Sequence, residues 1–218
     1  MVPIVCIVGA SGSGKTTFLE KLIPMMRDRG YQVGTIKHDA HNFSMDHEGK
    51  DTWRHRNAGA QTIAISSPTQ AATIRTTAQE LSLSELVVRY FWQEDIILAE
   101  GYKRSSYPKI EIFRSAVEAR PICTPKDHLI AIVTDDETDL DVPTFPFDDV
   151  SQVADLIAER YLKERKRPRI LVHVNGKKLP MNDFVQDFLI GGIRGMLSSL
   201  RGWKEGEKVD LHITWEGR

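Results

Sequence analysis

Cysteine is scarce in this chain: 218 residues carry two, Cys6 inside an apolar run and Cys123 beside Pro125, with no paired spacing. That excludes a disulfide scaffold and suits a reducing compartment, where a buried cysteine acts as a small hydrophobe. Long apolar runs are missing too. Ile4-Val5-Cys6-Ile7-Val8 falls far short of the roughly 20 residues that cross a bilayer. It also lacks the basic flank and longer apolar core of a secretory signal. Neither charge sign dominates, with 29 Lys+Arg against 30 Asp+Glu, which argues against bulk electrostatic binding of nucleic acid. These absences point to the cytoplasm, with no membrane and no nucleic acid as partner. The hydrophobic share is 41%, and a fold of this length buries roughly 70% of its unfolded surface without a metal or disulfide staple.

Hydrophobic patterning predicts strands alternating with helices. Residues 2–8 form an unbroken apolar run of the kind buried on both faces of a parallel sheet. Helix is expected from Thr17 to Asp28, stopped by Gly30, then strand over 32–37, a short helix from Asp51 to Asn57, and a strand pair at 62–66 and 71–74. Ser82-Leu83-Ser84-Glu85 is a capping box that opens a helix to about Trp92. Strands follow at 96–99, 109–113 and 129–133, and a helix at 149–165. This order predicts an α/β fold: a three-layer phosphate-loop nucleotide-binding domain over residues 1–165 with a mostly parallel sheet.

The charged segment from Lys163 to Arg169 then reads as a linker or a solvated helix end. Beyond it, residues 170–218 are expected to form a small strand–helix–strand unit: strand 170–174, a turn at Asn175-Gly176, helix 181–200 and a strand alternating through Val209, Leu211, Ile213 and Trp215. Gly191, Gly192 and Gly195 are costly inside a helix, about 1 kcal/mol each against alanine, which predicts close backbone packing on a sheet or another chain. A unit this small is marginal alone and is expected to dock or dimerise.

Gly9-Ala10-Ser11-Gly12-Ser13-Gly14-Lys15-Thr16 matches the G-x-x-x-x-G-K-[ST] pattern between a buried strand and a helix. Glycines let consecutive N–H groups face an anion at a helix start, Lys15 reaches toward β- and γ-phosphates, and Thr16 offers a hydroxyl to Mg²⁺. A second acid for the metal side is expected at a neighbouring strand end, and Glu100, just past an apolar run, is the candidate. Four of the seven histidines fall between positions 38 and 55. His38-Asp39-Ala40-His41 has the look of a metal pair but lacks the closed ligand set of a structural zinc site. Asp39 and Asp46 lie in a loop that a parallel sheet would gather at the same edge as the phosphate loop.

The run Thr35-Ile36-Lys37-His38-Asp39-Ala40-His41, the segment from Asp46 to Ala60, the second loop threonine Thr17, and Ala99-Glu100-Gly101-Tyr102-Lys103 together resemble the molybdopterin-guanine dinucleotide biosynthesis protein B family over roughly residues 2–165. The resemblance implies a GTP-binding accessory protein of weak, Mg²⁺-dependent hydrolysis, often a homodimer. Its implied partner is the guanylyltransferase that joins GMP to the molybdenum cofactor, with molybdopterin a further ligand. It implies that Gly9, Ala10, Ser11, Gly12, Ser13, Gly14, Lys15, Thr16 and Thr17 hold phosphates and Mg²⁺, with Glu100 on the metal side. Asp39, Lys50, Asp51, Arg54 and Arg56 would line the same face. Read alone, the two arginines fit a solvated helix face equally well.

Base choice is poorly written, since no Asn-Lys-x-Asp signature occurs. An aspartate of Thr134-Asp135-Asp136, after a predicted strand, is placed to take the N1 and N2 hydrogens of guanine, or simply to make a turn. Two other functions share this architecture. A small-molecule kinase would need an acceptor site and an arginine-bearing lid, and the middle segment reads instead as strands with turns. A metallochaperone GTPase would use His38 and His41. The unit at 170–218 lies outside the family's minimal domain and is expected to serve docking or dimerisation.

Overall fold

The computed structural model describes residues 2–39, 43–91, 93–163, 170, 172–174 and 177–204. The chain divides into two compact units, Met1–Arg165 and Lys166–Arg218. Along the first unit run β1 (Ile4–Val8), α1 (Lys15–Asp28), β2 (Val33–Lys37), α2 (Asp51–Asn57), β3 (Thr62–Ser66), β4 (Ala71–Arg75), α3 (Leu83–Tyr90), β5 (Ile96–Glu100), β6 (Lys109–Ile112), β7 (Leu129–Val133), β8 (Thr144–Phe145) and α4 (Val150–Tyr161). The second unit contributes β9 (His173–Val174), β10 (Lys177–Lys178) and α5 (Asp183–Ser198).

Six strands form one sheet in the order β2-β5-β1-β6-β7-β8, with every pairing parallel. The apolar run of β1 occupies the middle, and alternate residues enter two cores. Val5 and Ile7 join Leu98, Ile110, Ile112 and Val133 beneath α1 and α4, which supply Phe18, Leu22, Met26, Val153 and Ile157. Each such burial contributes about 2 kcal/mol. On the opposite face Ile4, Cys6 and Val8 meet Ile97, Ala99 and the α3 residues Leu83 and Val87. The first unit is therefore a helix–sheet–helix sandwich, the phosphate-loop type of α/β fold.

The α3 face is covered largely by loops, and two buried charges on β6 pin them. Lys109 donates to the carbonyls of Ser105, Tyr107 (3.2 Å) and Asp127 (2.7 Å). Glu111 accepts from the backbone N–H groups of Ile122 (2.7 Å) and Cys123 (2.9 Å). Both side chains are 1% exposed. The strand pair at β3 and β4 is an antiparallel hairpin outside the main sheet, exposed except at Ile63 and half-buried Ile74.

Several boundaries differ from expectation. α1 begins two residues early, because Gly14 rather than the threonine pair makes the turn into the helix. β8 was not expected: two residues are too few for a periodicity signal. α4 stops at Tyr161, with Leu162 and Lys163 in a turn. Trp92, the linker residues 164–169, the turn at Asn175-Gly176 and the strand through Val209–Trp215 lie outside the described residues. Gly191, Gly192 and Gly195 meet no atom within 4 Å of an added Cβ among the described residues, so the close intrachain packing expected of them is not observed. No helix of the described residues is long and apolar enough to cross a membrane.

Candidate functional site

The parallel sheet directs the carboxyl ends of β1, β2, β5, β6 and β7 to one edge. β1 has β5 on one side and β6 on the other, so the loop leaving β1 sits where neighbouring connections part. Gly9 opens that loop at φ +146°, and a Cβ there would stand 2.4 Å from the Ile112 carbonyl oxygen and 2.7 Å from Ser13 Oγ. Only glycine fits. Gly14 caps α1 in the left-handed region (φ +100°) with no side-chain hydrogen bond to the first turn, which leaves the helix's first N–H groups facing the loop. Ser13 Oγ is buried without a partner among the described residues. Open N–H groups, a helix dipole and an unspent hydroxyl together make a cradle for an anion.

Lys15 folds back over this cradle, donating to the carbonyls of Gly9 (3.1 Å) and Ala10 (2.7 Å). Burial lowers its pKa, and the charge of Glu100 works in the opposite direction. Thr16 Oγ1 lies 3.2 Å from both carboxylate oxygens of Glu100. Glu100 is only 13% exposed and also pairs with Lys37 at 3.5 Å, its register partner on β2. Lys37 is a site residue that sequence reasoning missed; its signal was a lysine at the carboxyl end of the second strand. Thr17, one residue on, is exposed on α1.

On the other side of the loop stands Arg114, also unforeseen. Its Nε donates to the Ser13 carbonyl at 3.2 Å, and its guanidinium carbon lies 3.8 Å from the centroid of the Phe147 ring. Phe147 N–H in turn donates to Asp135 Oδ1 (3.1 Å). Asp136 accepts at 2.7 Å on one oxygen from Ser115 N–H and on the other from its hydroxyl, and these bonds hold its carboxyl below the usual range. The two aspartates after β7 thus differ: Asp136 anchors the Ser115 turn, while Asp135 is exposed beside the Arg114–Phe147 stack.

His38 stands beside an acid and an aromatic ring. Its Nε2 lies 3.0 Å from Glu80, and its ring rests 4.8 Å from that of Tyr102. His41 lies outside the described residues, and no group of three His, Cys, Asp or Glu that could hold a metal occurs among the described residues. Asp39 is exposed past β2. Lys50 is the N-cap position of α2, Asp51 pairs with Arg54 at 4.0 Å within that helix, and Arg56 is half-buried. No hydrogen bond or ion pair joins Lys50, Asp51, Arg54 or Arg56 to the phosphate loop among the described residues. Asp46 accepts from Thr52 Oγ1 (2.9 Å), and its other oxygen is buried without a partner among the described residues.

The model of the molybdopterin guanine dinucleotide synthesis protein B family matches residues 4–135. The molybdopterin-guanine dinucleotide biosynthesis adapter protein of Escherichia coli is 37% identical over 168 residues, covering 75% of this chain and 96% of its own length. The crystal structure of Bacillus subtilis MobB superposes with a TM-score of 0.59 at 31% identity, covering 74% of this chain and 99% of that one. A relative from Methanocaldococcus jannaschii is 24% identical over 236 residues, covering 96% of this chain and 97% of its own. The Escherichia coli match thus covers three quarters of this chain, whereas the archaeal match covers nearly all of it. The phosphate loop, the sheet around it and the matched residues agree: the chain belongs to the molybdopterin guanine dinucleotide synthesis protein B family.

Proposed function

We propose that this chain, an adapter of molybdopterin-guanine dinucleotide biosynthesis, binds Mg²⁺-GTP on the loop from Gly9 to Thr17 and hydrolyses it weakly while assisting the guanylyltransferase step. The observation that carries this reading is the convergence of three groups. Lys15 donates to carbonyls of the glycine cradle and Thr16 to Glu100, so the cradle, the ammonium and the Thr16–Glu100 pair lie at one sheet edge. The residues fit the ion. A threonine hydroxyl and a carboxylate are hard oxygen donors, and Mg²⁺ takes one or two of these and fills its octahedron with phosphate oxygens and water. When bound, the ion would neutralise charge on the phosphates. Glu100 holds the Thr16 hydroxyl and is suited to orient a water. Lys15 exchanges its carbonyl partners for phosphate oxygens.

Guanine selection is assigned to Asp135. Asp136 already spends both oxygens on Ser115, whereas Asp135 keeps an oxygen for the N1 and N2 hydrogens of guanine. The flat Arg114–Phe147 stack beside it suits a purine. Molybdopterin, the second ligand, and a homodimer belong to the same proposal and rest on the family.

The test is calorimetric titration with GTP and ATP in the presence of Mg²⁺. GTP is expected to bind at least about tenfold more tightly. Equal affinities would remove guanine from the reading, and no binding would remove the loop. In Asp135→Asn the preference should move from GTP to xanthosine triphosphate, whose 2-oxo group is an acceptor where guanine has its 2-amino donor.

A further inference from the structure

We propose that Arg114 is a second phosphate-binding group of the loop, presenting the Nη edge of its guanidinium to the phosphate nearest the nucleoside. This rests on the nucleotide reading above and adds a contact that the phosphate-loop pattern does not contain.

Backbone and side chain of this arginine are both held. Phe113 N–H donates to the Val133 carbonyl (3.0 Å), which carries the pairing of β6 with β7 one residue past Ile112. The Arg114 carbonyl then accepts from the N–H groups of Val117 (3.0 Å) and Glu118 (3.1 Å), closing a turn directly behind it. Two further contacts fix the side chain, Nε on the Ser13 carbonyl and the Phe147 ring 3.8 Å from the guanidinium carbon. A long side chain ordinarily loses rotamer freedom when it grips a ligand. Here that freedom is reduced before any ligand arrives.

Those contacts use one edge and one face of the guanidinium. Among the described residues neither Nη makes a hydrogen bond or ion pair, and Asp136, the acid beyond the adjoining end of β7, turns both oxygens to Ser115. Nη2 stands beside Gly14: a Cβ on that glycine would lie 3.9 Å from it and 3.8 Å from Nε. Gly14 is the cap from which the first N–H groups of α1 open, so the free fork lies at the rim of the anion cradle. A planar cation with two open nitrogens matches the paired oxygens of a phosphate.

The sheet decides which phosphate this is. Strand order places Glu100 on β5, the loop after β1, Arg114 past β6 and Asp135 past β7, with about 4.8 Å between neighbouring strands. Three such spacings make about 14 Å, room for a nucleoside triphosphate stretched from metal to base. Thr16 and Glu100 address the metal and with it the β- and γ-phosphates, while the base lies toward Asp135. The group that passes Arg114 between them is the α-phosphate. Lys15 and Arg114 thus serve opposite ends of the phosphate chain.

Calorimetry on the full-length chain with Mg²⁺ tests this, using GTP, GDP and inorganic pyrophosphate. Pyrophosphate fills the positions that Lys15 and the metal side define, so it reports on the loop itself. Arg114→Gln keeps a flat amide and removes the charge. It should weaken GTP and GDP by about tenfold or more and leave pyrophosphate within about twofold of the parent. Arg114→Lys keeps the charge without the flat fork and should recover part of the loss. Equal losses for all three ligands overturn the proposal, because Arg114 would then only shape the loop through Ser13. Equal losses in the Lys and Gln variants overturn it too, since the residue would then be a platform for the base. Unchanged GTP affinity in Arg114→Gln overturns the contact and leaves the nucleotide reading intact. A parent chain that takes up pyrophosphate but no nucleotide overturns that reading, and this contact with it.

Discussion

At the scale of the residue, the site separates groups that bind from groups that act. Lys15 donates to the loop carbonyls of Gly9 and Ala10, which folds its ammonium over the cradle. Lys15→Ala should leave the fold and its melting temperature near the parent's while weakening triphosphate affinity by about 100-fold or more, read by calorimetry. Glu100 touches Thr16 and Lys37 beside the loop. Glu100→Gln keeps the shape and removes the charge, so binding should persist while phosphate release slows by about tenfold or more. Glu111 is a different matter, a buried acid bonded to the N–H groups of Ile122 and Cys123. Burial raises its pKa above the ordinary 4.5, against the lowering effect of the Ile122 and Cys123 N–H groups. An acid whose folded pKa is raised holds its proton longer folded than unfolded, so stability falls as pH climbs from about 4.5 through the raised value and then levels. Urea midpoints taken across that window should show this slope in the parent. Glu111→Gln should abolish the slope and cost about 1–3 kcal/mol by orphaning one N–H. Neither Lys109 nor Glu111 was legible beforehand, because a charged residue in a strand gives no sign that loops distant in sequence will supply its partners.

Elements were legible where local chemistry dictates them. The glycine pattern of the phosphate loop and the Ser82–Glu85 capping box each specify backbone geometry within a few residues, and both formed where they were written. Ser82 Oγ accepts from Glu85 N–H (3.3 Å) while Glu85 accepts from Ser82 N–H (2.9 Å). Elements were illegible where partners decide. Thr144-Phe145 is a strand only because β7 lends it an edge, and nothing local distinguishes the β3–β4 hairpin from strands of the main sheet. Lys37, Glu100 and Arg114 meet the loop through register and strand order, which periodicity does not encode. The capping box carries a consequence that can be measured. α3 has eight residues, too few to be stable without tertiary help, and it buries Leu83 and Val87 in the core on its face of the sheet. Ser82→Ala should therefore cost about 1 kcal/mol and lower the thermal midpoint by a few degrees, without changing nucleotide affinity. A melt identical to the parent's would show that packing alone holds the helix.

At the scale of the molecule, the balanced charge of the chain and its anion cradle are compatible, because backbone amides and one lysine need no net positive field. The larger question is how two units share the work. The first holds both cores, the phosphate loop and every residue matched by the family model. The Escherichia coli relative matches 75% of this chain with 96% of its own length, and the family model ends at residue 135, inside the first unit. A chain ending at Lys163 should consequently fold with a single cooperative transition and bind triphosphate within about twofold of the full-length affinity. Lost nucleotide affinity would make the second unit part of the site, whereas retained affinity would assign triphosphate binding to the sheet edge of the first unit alone.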